Sequence, residues 1–546
     1  MTDRGNADGS GRTALIAALA AVVGGAALRL ALLPWMAYDG DDFWTLKWTA
    51  RPLPELLSSY RTGLTMHLYL AGMKGWMALF GTAPAVVKLP TVLAGIALLP
   101  LTFFLGRRWT GAAPAAAAVV LAALSGPLVA NAMMARVYPI LAVVILLSMR
   151  ELLDWLDRPS RRGLIRLALL DALALALSLN ATVVVMVQGA VLLMEAARDP
   201  RLRGRTFLQG VAAFAAAGAL AAVFYAAALP DILRTSDAAT GSHFHLGSLT
   251  GGFALNHPAA PAAAFGLLAI GAWTLRGSRA GRLLLVWAVL PGLFYFLQRM
   301  RYPEWAIARY LVVHLPAQLL LIGAGLWATV RFALPRAGTP ARLAIAAALP
   351  LAAVAFSPAA RGELLKAPRP SGAALARIAE TVRPGDAVTY DFLPYKFLFE
   401  LEPDVPAAGL PELVRGEGDR PEGRLIVLTF AEPLAKGTWS AEFEVEEIGG
   451  DRYRESLYVL VSRTAEGGVR PHRAGLRVFC EGLVGAAAAG ARLGLTPARH
   501  FARLEEAHGF LAELAEQAGD SGEAARHRQL RDEYRERAAR EWEKVV

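Results

Sequence analysis

Eleven apolar runs, each close to the length of a membrane span, alternate along this chain with short gaps rich in arginine. A transmembrane helix needs roughly 20 predominantly apolar residues. The runs lie at 13–35, 86–106, 111–129, 139–156, 163–179, 181–196, 207–229, 258–275, 282–297, 310–330 and 343–356. With 55% hydrophobic and only 19% charged residues among 546, the chain is too apolar for a soluble protein. The pattern predicts an α-helical polytopic membrane protein with about 11 transmembrane helices.

The net charge of +10 reflects topology and not nucleic-acid binding, because the arginines cluster between the apolar runs. The basic gaps lie at 107–108, 158–166, 198–205, 276–282 and 331–342. Cytoplasmic loops carry an excess of Lys and Arg, so all five gaps are expected on the cytoplasmic side. All five gaps lie on the same side only if a further apolar stretch, 64–80, does not cross the membrane. We therefore expect a cytoplasmic tail at 1–12, a transmembrane domain at 13–356, and an outer loop at 36–85 that dips into the membrane.

The composition changes after the last apolar run. Residues 357–475 contain short strand-like runs, "DAVTYDF", "RLIVLTF" and "SLYVLV", and a helical pattern at 374–382, which predicts a small mixed α/β domain. Residues 476–546 predict a helical, repeat-like tail. Because the predicted number of spans is odd and the N-terminus is expected in the cytoplasm, the α/β domain and the tail are both expected outside the cytoplasm. The single cysteine, Cys480, excludes an intramolecular disulfide framework and a cysteine-rich metal site.

An acidic segment, "MAYDGDDF", follows the first span and carries Asp39, Asp41 and Asp42. A carboxylate at an apolar boundary can act as a general base that takes a proton from an acceptor hydroxyl or amine. The alternative is an acidic turn that caps the following helix. The residues alone leave both interpretations open.

Several arginines fall on the predicted outer side, against the positive-inside tendency. Arg136 lies in "NAMMARVYP", and Arg299, Arg301 and Arg309 lie in "QRMRYPEWAIARY". Guanidinium groups at this boundary are suited to stabilise a phosphate leaving group. The alternative is that they snorkel to lipid headgroups. Arg29, near the outer end of the first span, is interpreted as snorkelling or as reaching a donor phosphate.

The order of these motifs resembles the GT-C superfamily of glycosyltransferases, in particular protein mannosyltransferase-like and aminoarabinose-transferase-like enzymes. The resemblance covers 35–156 in motif detail, through "ARPLPELL", "WMALFG", "KLPTVLAG" and "ARVYPILA". The alternation of spans and loops extends it to residue 356. The resemblance implies a transmembrane glycosyltransferase fold and a polyprenyl-phosphate sugar donor.

Individual roles follow from the matched positions. The resemblance implies that Asp41 is the base that activates the acceptor, with Asp42 where the family usually has Glu. Arg136 and Tyr138 match an "ARMY"-like motif, and Lys88 stands where the family commonly has arginine. Arg309 and Tyr310 match the family's "RY" before a late span. The resemblance therefore implies that these basic and tyrosine residues bind the donor phosphate.

The chain also departs from the family pattern. The usual His-Pro-Pro is replaced by "TMH", so that Thr65 fills the histidine position and His67 is displaced. Met134 replaces an acidic residue before the motif arginine. Asn180 lies near the position of a missing histidine. His67, Asn180 and the arginines at 299 and 301 are candidate substrate contacts.

These observations predict a glycosyltransferase that moves a sugar from a polyprenyl-phosphate donor to a lipid, glycan or protein acceptor on the outer face of a bacterial-type inner membrane. The inverting stereochemistry comes from the resemblance alone. The basic residues can stabilise the leaving phosphate without a cofactor, and the sequence leaves open whether a divalent cation takes part. His243 and His245 show no third metal ligand in the sequence, which favours a polar loop. The alternatives are a transporter or lipid flippase, which predicts charges buried mid-span and broken helices, and a degenerate scaffold.

Overall fold

The computed structural model describes residues 4–35, 40–58, 66–226, 260–301, 308–356, 387–390, 425–429, 443–448, 457–462, most of 477–485, and 497–543. The chain divides into two compact units. The first comprises Met1–Met36 and Thr45–Ala367, and the second comprises Ala37–Trp44 and Pro368–Val546.

The first unit is built from helices. In chain order they are α1 Arg4–Leu32, α2 Gly40–Ala50, α3 Leu53–Ser58, α4 His67–Phe80, α5 Pro84–Trp109, α6 Ala112–Leu124, α7 Gly126–Ala132, α8 Tyr138–Asp157, α9 Arg161–Leu177, α10 Thr182–Arg198, α11 Arg205–Tyr225, α12 Ala260–Leu275, α13 Arg279–Arg301, α14 Leu315–Ala333 and α15 Thr339–Phe356. The first turn of α2 groups with the second unit. In the described part of the chain, four 3₁₀ turns lie at Leu33–Trp35, Leu179–Ala181, Pro200–Leu202 and Ala308–His314.

Within these described ranges, five helices are long and apolar enough to cross a membrane, or six if the bent pair α6–α7 forms one span. The five segments are Gly11–Leu32, Pro84–Trp109, Leu179–Arg198, Arg205–Tyr225 and Tyr310–Ala333. Two shorter apolar helices cover Ala262–Leu275 and Thr339–Ala355. The chain is a helical membrane protein, and the number of about 11 spans stays a prediction.

One element boundary differs from the prediction. The helix α1 begins at Arg4, inside the segment predicted as a tail, and continues without a break into the first span. The ambiguous stretch 64–80 forms α4, which has 14 residues. A helix of that length is roughly 21 Å long, too short to cross a hydrocarbon core of roughly 30 Å. That this segment does not cross the membrane stays a prediction.

The predicted span 111–129 is broken into two helices. The helices α6 and α7 meet at an angle of 58°. Pro127 lacks the N–H that would pair with the carbonyl of Ala123, which favours a kink or a break at this point. The Ser125 hydroxyl accepts a hydrogen bond from the Leu128 N–H at 3.4 Å and starts the second helix.

Arg29 stabilises this break. Its side chain is fully buried, and its guanidinium donates to the carbonyls of Ala122 at 3.4 Å and Ala123 at 3.5 Å, and to Gly25 at 3.0 Å. The interpretation that Arg29 snorkels to the interface is therefore wrong. Carbonyl groups released by the break need donors because no water is present in a bilayer core to satisfy them.

The helix α14 packs closely against α6, and Gly323 lies at the crossing. A Cβ atom built on Gly323 would come 2.6 Å from the Pro114 carbonyl oxygen and 2.8 Å from the Ala118 nitrogen. Small residues allow such close backbone approach between membrane helices. Residues 310–333 are accordingly the most deeply buried of the five candidate spans.

The second unit contains a four-stranded sheet and a helical hairpin. The strands β1 Ala387–Tyr390, β2 Leu425–Thr429, β3 Phe443–Ile448 and β4 Leu457–Ser462 have the order β1-β2-β4-β3. The pair β1–β2 is parallel and the other two pairs are antiparallel. Strands occur at all three predicted runs, and β3 is additional. The predicted helix at 374–382 lies outside the described residues.

The tail forms the predicted helices. They are α16 Pro497–Gln517 and α17 Ser521–Glu543, which pack against each other as a hairpin. In the hairpin, His508 is buried, and its Nδ1 lies 2.8 Å from the Nδ1 of His527. Burial, with the nearby His527 and Arg526, lowers the pKa of His508 to about 4.

Candidate functional site

Arg136 and Tyr138 lie at the junction between α7 and α8. The side chain of Arg136 is only 5% exposed, and that of Tyr138 is 3% exposed. The Arg136 N–H donates to the Met134 carbonyl at 2.7 Å, which forms a tight turn before α8. Pro139 at the start of α8 suits a first helical turn, where no backbone donor is needed. The local sequence therefore holds a guanidinium and a phenol together at a helix N-terminus.

Lys88 lies on a neighbouring segment. Its side chain is completely buried in the first part of α5. The hydroxyl of Thr91, in the same helix, donates to the Lys88 carbonyl at 2.7 Å and to the Ala132 carbonyl at 3.1 Å. This bond joins the Lys88 turn to the end of α7, four residues before Arg136. The structure thus bonds two segments that carry basic residues far apart in the sequence.

Tyr310 completes an aromatic group on the same segments. Its ring lies 6.0 Å from the rings of both Tyr138 and Tyr295. Tyr295 also packs with Val183 and Leu311 in a buried cluster. Sequence reasoning missed Tyr295. The available signal was its position one helical turn before Arg299 in "FYFLQRMR".

The acidic residues lie at the start of α2. Asp42 is completely buried, whereas the side chain of Asp41 and all of Asp39 lie outside the described residues. The next turn of α2 belongs to the first unit, where the Thr45 hydroxyl donates to the Ala135 carbonyl at 2.8 Å. The burial of Asp42 disagrees with a simple solvated acidic turn.

His67 and Asn180 lie around the C-terminal end of α9. The ring of His67 is fully buried and lies 5.0 Å from that of Tyr225, whose hydroxyl donates to the Leu175 carbonyl at 2.9 Å. Asn180 lies in the 3₁₀ turn after α9, and its N–H donates to the Ser178 hydroxyl at 3.3 Å. These two residues share a neighbourhood through Tyr225 and α9.

The remaining predicted arginines are described only by their backbone. Arg299 and Arg301 lie in the last turn of α13, and Arg309 lies in the 3₁₀ turn before α14. Their side chains, with Thr65, His243 and His245, lie outside the described residues. Among the residues that the structure does describe, no three His, Cys, Asp or Glu side chains come together as a metal site.

The opposite ends of the same helices carry an ion-pair network around Glu195, which is 1% exposed. Glu195 accepts bonds from Arg282 at 2.6 and 2.8 Å and from Arg279 at 3.0 Å. Arg279 also binds Asp157 at 2.8 Å and Asp199 at 3.0 Å. We call this the Glu195 end and the other the Arg136 end.

Charged groups from other basic gaps lie at the Glu195 end too. Arg108 pairs with Asp154 at 2.6 Å, and Arg166 with Glu151 at 2.9 Å. Hydrogen bonds from Arg201 hold the pKa of Asp199 well below its usual range. The ion pairs therefore join four of the five basic gaps to one end of the helices.

A buried polar triad lies between the two ends. Asp171 of α9 accepts a hydrogen bond from Ser148 of α8 at 2.5 Å and one from Gln188 of α10 at 3.0 Å. Its other carboxylate oxygen makes no hydrogen bond within the described structure. An ionisable group at such a depth is costly and is often functional.

The fold matches solved membrane-enzyme structures, while no protein-family model and no curated protein matches the sequence. ArnT from Cupriavidus metallidurans in the apo state has a TM-score of 0.51 at 14% identity, over 83% of this chain and 98% of that one. ArnT bound to undecaprenyl phosphate gives 0.49 at 13% identity, over 84% and 99%. The Archaeoglobus fulgidus oligosaccharyltransferase gives 0.43 at 13% identity, over 82% and 74%. The similarity to apo ArnT shows that this chain has a GT-C-like fold.

Proposed function

We propose that this protein is an integral membrane glycosyltransferase. It transfers a sugar from a polyprenyl-phosphate donor to a lipid, glycan or protein acceptor on the outer face of an inner membrane. The GT-C-like fold supports the reaction class, and the matched motifs support the donor class. The charge pattern supports the side, because the positive-inside rule assigns the Glu195 end to the cytoplasm and the Arg136 end to the outer face.

The observation that carries this proposal is the burial of two basic side chains on bonded segments at the Arg136 end. Lys88 is 0% exposed and Arg136 is 5% exposed. Taking a cationic side chain out of water within a membrane protein has a large desolvation cost. A bound phosphate offsets part of this cost, and a guanidinium can meet it with two parallel hydrogen bonds.

In the proposed reaction, Asp41 removes the proton from an acceptor hydroxyl or amine as that atom attacks the anomeric carbon of the sugar. A new bond forms between acceptor and sugar. The bond between the anomeric carbon and the phosphate oxygen breaks, and its electron pair leaves with the lipid phosphate. Arg136, Arg309 and Lys88 stabilise the charge that develops there. Asp42 is the second carboxylate of the proposed catalytic pair beside Asp41. Tyr138 and Tyr310 line the proposed phosphate site.

The predicted outer position of the second unit supports a role in acceptor binding. Its sheet and hairpin follow the last predicted span, and the parity of the spans puts them on the side of the proposed chemistry. His67 and Asn180, with Arg299 and Arg301, are proposed substrate contacts. In this proposal the basic residues stabilise the leaving phosphate, and the reaction requires no cofactor.

The test is a mass analysis of envelope glycans and glycolipids in cells that lack the protein and are complemented with variants. Asp41→Asn should abolish the protein-dependent product, because loss of a general base lowers rates by about 10² to 10⁴. Arg136→Gln should reduce it, whereas Asp39→Asn, a neutralisation two residues away, should retain it. Normal membrane insertion of each variant is the control. Full activity of Asp41→Asn would refute the assigned base.

One observation favours a second candidate, a transporter or lipid flippase. That alternative predicted charges mid-span and broken helices, and the structure contains the mid-span Asp171 and the break between α6 and α7. Vesicle assays separate the two. A transporter would move a lipid-linked sugar between leaflets without an acceptor, and it would lose activity in Asp171→Asn but not in Asp41→Asn.

A further inference from the structure

A cavity of about 850 Å³ opens at the Glu195 end, away from the proposed chemistry. It lies among the junction of α5 and α6, the last turns of α12 and α14, and the start of α15. This volume is in the range of ligand pockets that hold a small molecule or a lipid headgroup. The cavity is not used by the proposed reaction.

The wall of the cavity is mixed, with both apolar and polar groups among the lining. Pro114, Leu275, Ala324 and Ala328 contribute apolar surface. Thr110 and Thr274 contribute hydroxyls that already donate to backbone carbonyls, at 3.0 and 2.8 Å. The lining therefore combines a surface for hydrocarbon with polar atoms for a headgroup.

Arg331 supplies the charge. It lines the cavity from the last turn of α14, and no acidic side chain or hydrogen-bond acceptor in the described structure pairs with it. Some arginines of this end have partners: Arg279 and Arg282 bind Glu195, and Arg342 donates to the Leu334 carbonyl at 2.9 Å. A guanidinium left open beside a cavity is suited to an oxygen-rich anion.

We propose that this cavity binds an anionic phospholipid from the leaflet at the Glu195 end, with its phosphate on Arg331 and the upper part of an acyl chain along the apolar part of the wall. Basic pockets between transmembrane helices on the cytoplasmic side recognise anionic headgroups. Phe332, the next residue of α14, also lines the cavity and is 89% exposed, and Trp327 lines it as well. Exposed aromatic residues at this level favour a lipid over a soluble phosphate, which would gain nothing from them.

The experiment is native mass spectrometry of the full chain in detergent, titrated with phosphatidylglycerol or phosphatidylcholine. The wild type should retain one phosphatidylglycerol in preference to phosphatidylcholine. Arg331→Gln should weaken phosphatidylglycerol binding roughly tenfold, as expected for one charge-assisted interaction. Arg336→Gln is the matched control, because Arg336 is exposed in the same gap but does not line the cavity.

Ala328→Trp provides a second variant that fills the cavity and leaves every charge in place. It should lower phosphatidylglycerol binding as much as Arg331→Gln does. Equal losses in Arg331→Gln and Arg336→Gln would overturn the proposal in favour of diffuse surface charge. Unchanged binding in Ala328→Trp, or displacement of the lipid by millimolar inorganic phosphate, would also overturn it.

Discussion

Replacing Glu195 by alanine should destabilise the protein more than any other single carboxylate substitution at its end of the helices. Glu195 is 1% exposed and accepts three bonds, at 2.6 and 2.8 Å from Arg282 and at 3.0 Å from Arg279. These bonds fasten the end of α10 to the start of α13. The substitution removes all three at once and leaves the two guanidinium groups in place.

The size of the effect follows from what each arginine retains. Arg279 keeps Asp157 and Asp199, so its charge stays compensated. Arg282, which is 20% exposed, loses its only carboxylate among the described residues and recovers part of its hydration. Breaking a buried pair by removing one partner costs about 3–5 kcal/mol. Because of the partial hydration, we expect a value near the lower limit, about 3 kcal/mol.

The assay is reversible unfolding in mixed micelles of a mild detergent and sodium dodecyl sulfate, followed by circular dichroism. Asp157→Ala is the matched control, because Asp157 is 57% exposed and holds one bond to the same Arg279. An exposed pair contributes about 1 kcal/mol or less. If Glu195→Ala and Asp157→Ala change the free energy of unfolding equally, the inference that burial makes this network important is refuted.

Two further predictions concern other parts of the chain. The folded pKa of His508 lies at about 4, below the ordinary value of 6.5, so its contribution to hairpin stability is present above pH 6.5 and is lost as the pH falls toward 4. Hydrogen exchange of the α16 amides, corrected for intrinsic rates, should therefore show protection that falls between pH 6.5 and pH 4. The variant His508→Gln should flatten this pH profile. Gly323→Val should separate α6 from α14 and lower the free energy of unfolding by about 1–3 kcal/mol, since the backbone atoms that the side chain would meet cannot move aside. Gly218→Ala is the control: its added methyl group meets no atom within 4 Å, so stability should stay unchanged or rise. Equal effects of the two substitutions would refute the close crossing.

Features set by local pattern could be predicted from the sequence. Apolar runs and basic gaps located the helices, and alternating apolar residues located three of the four strands. The spacing of the basic gaps predicts that 64–80 does not cross the membrane, and this stretch contains the 14-residue α4. The matched motifs also singled out Lys88 and Arg136, which the structure holds on bonded segments.

Features set by contacts between distant segments could not be predicted. The role of Arg29 depends on the carbonyls of Ala122 and Ala123, more than 90 residues away. Tyr295 joins the aromatic group only because α13 returns to the start of α8. The triad around Asp171 needs three helices in register. Periodicity reports which face of one helix is apolar, and it carries no information about the partner that covers it.

The bond between Arg29 and α6 has a consequence for biogenesis. The helix α1 leaves the ribosome long before α6, so its guanidinium enters the bilayer with only the Gly25 carbonyl of its own helix as an acceptor. An arginine at the centre of a lone span costs about 2.5–3.5 kcal/mol by insertion scales, and less toward its end. Until α6 arrives and breaks at Pro127, the nascent chain has to keep α1 shallow, tilted or shielded by the insertion machinery. Membrane integration of the first helix is therefore completed only when the sixth is made.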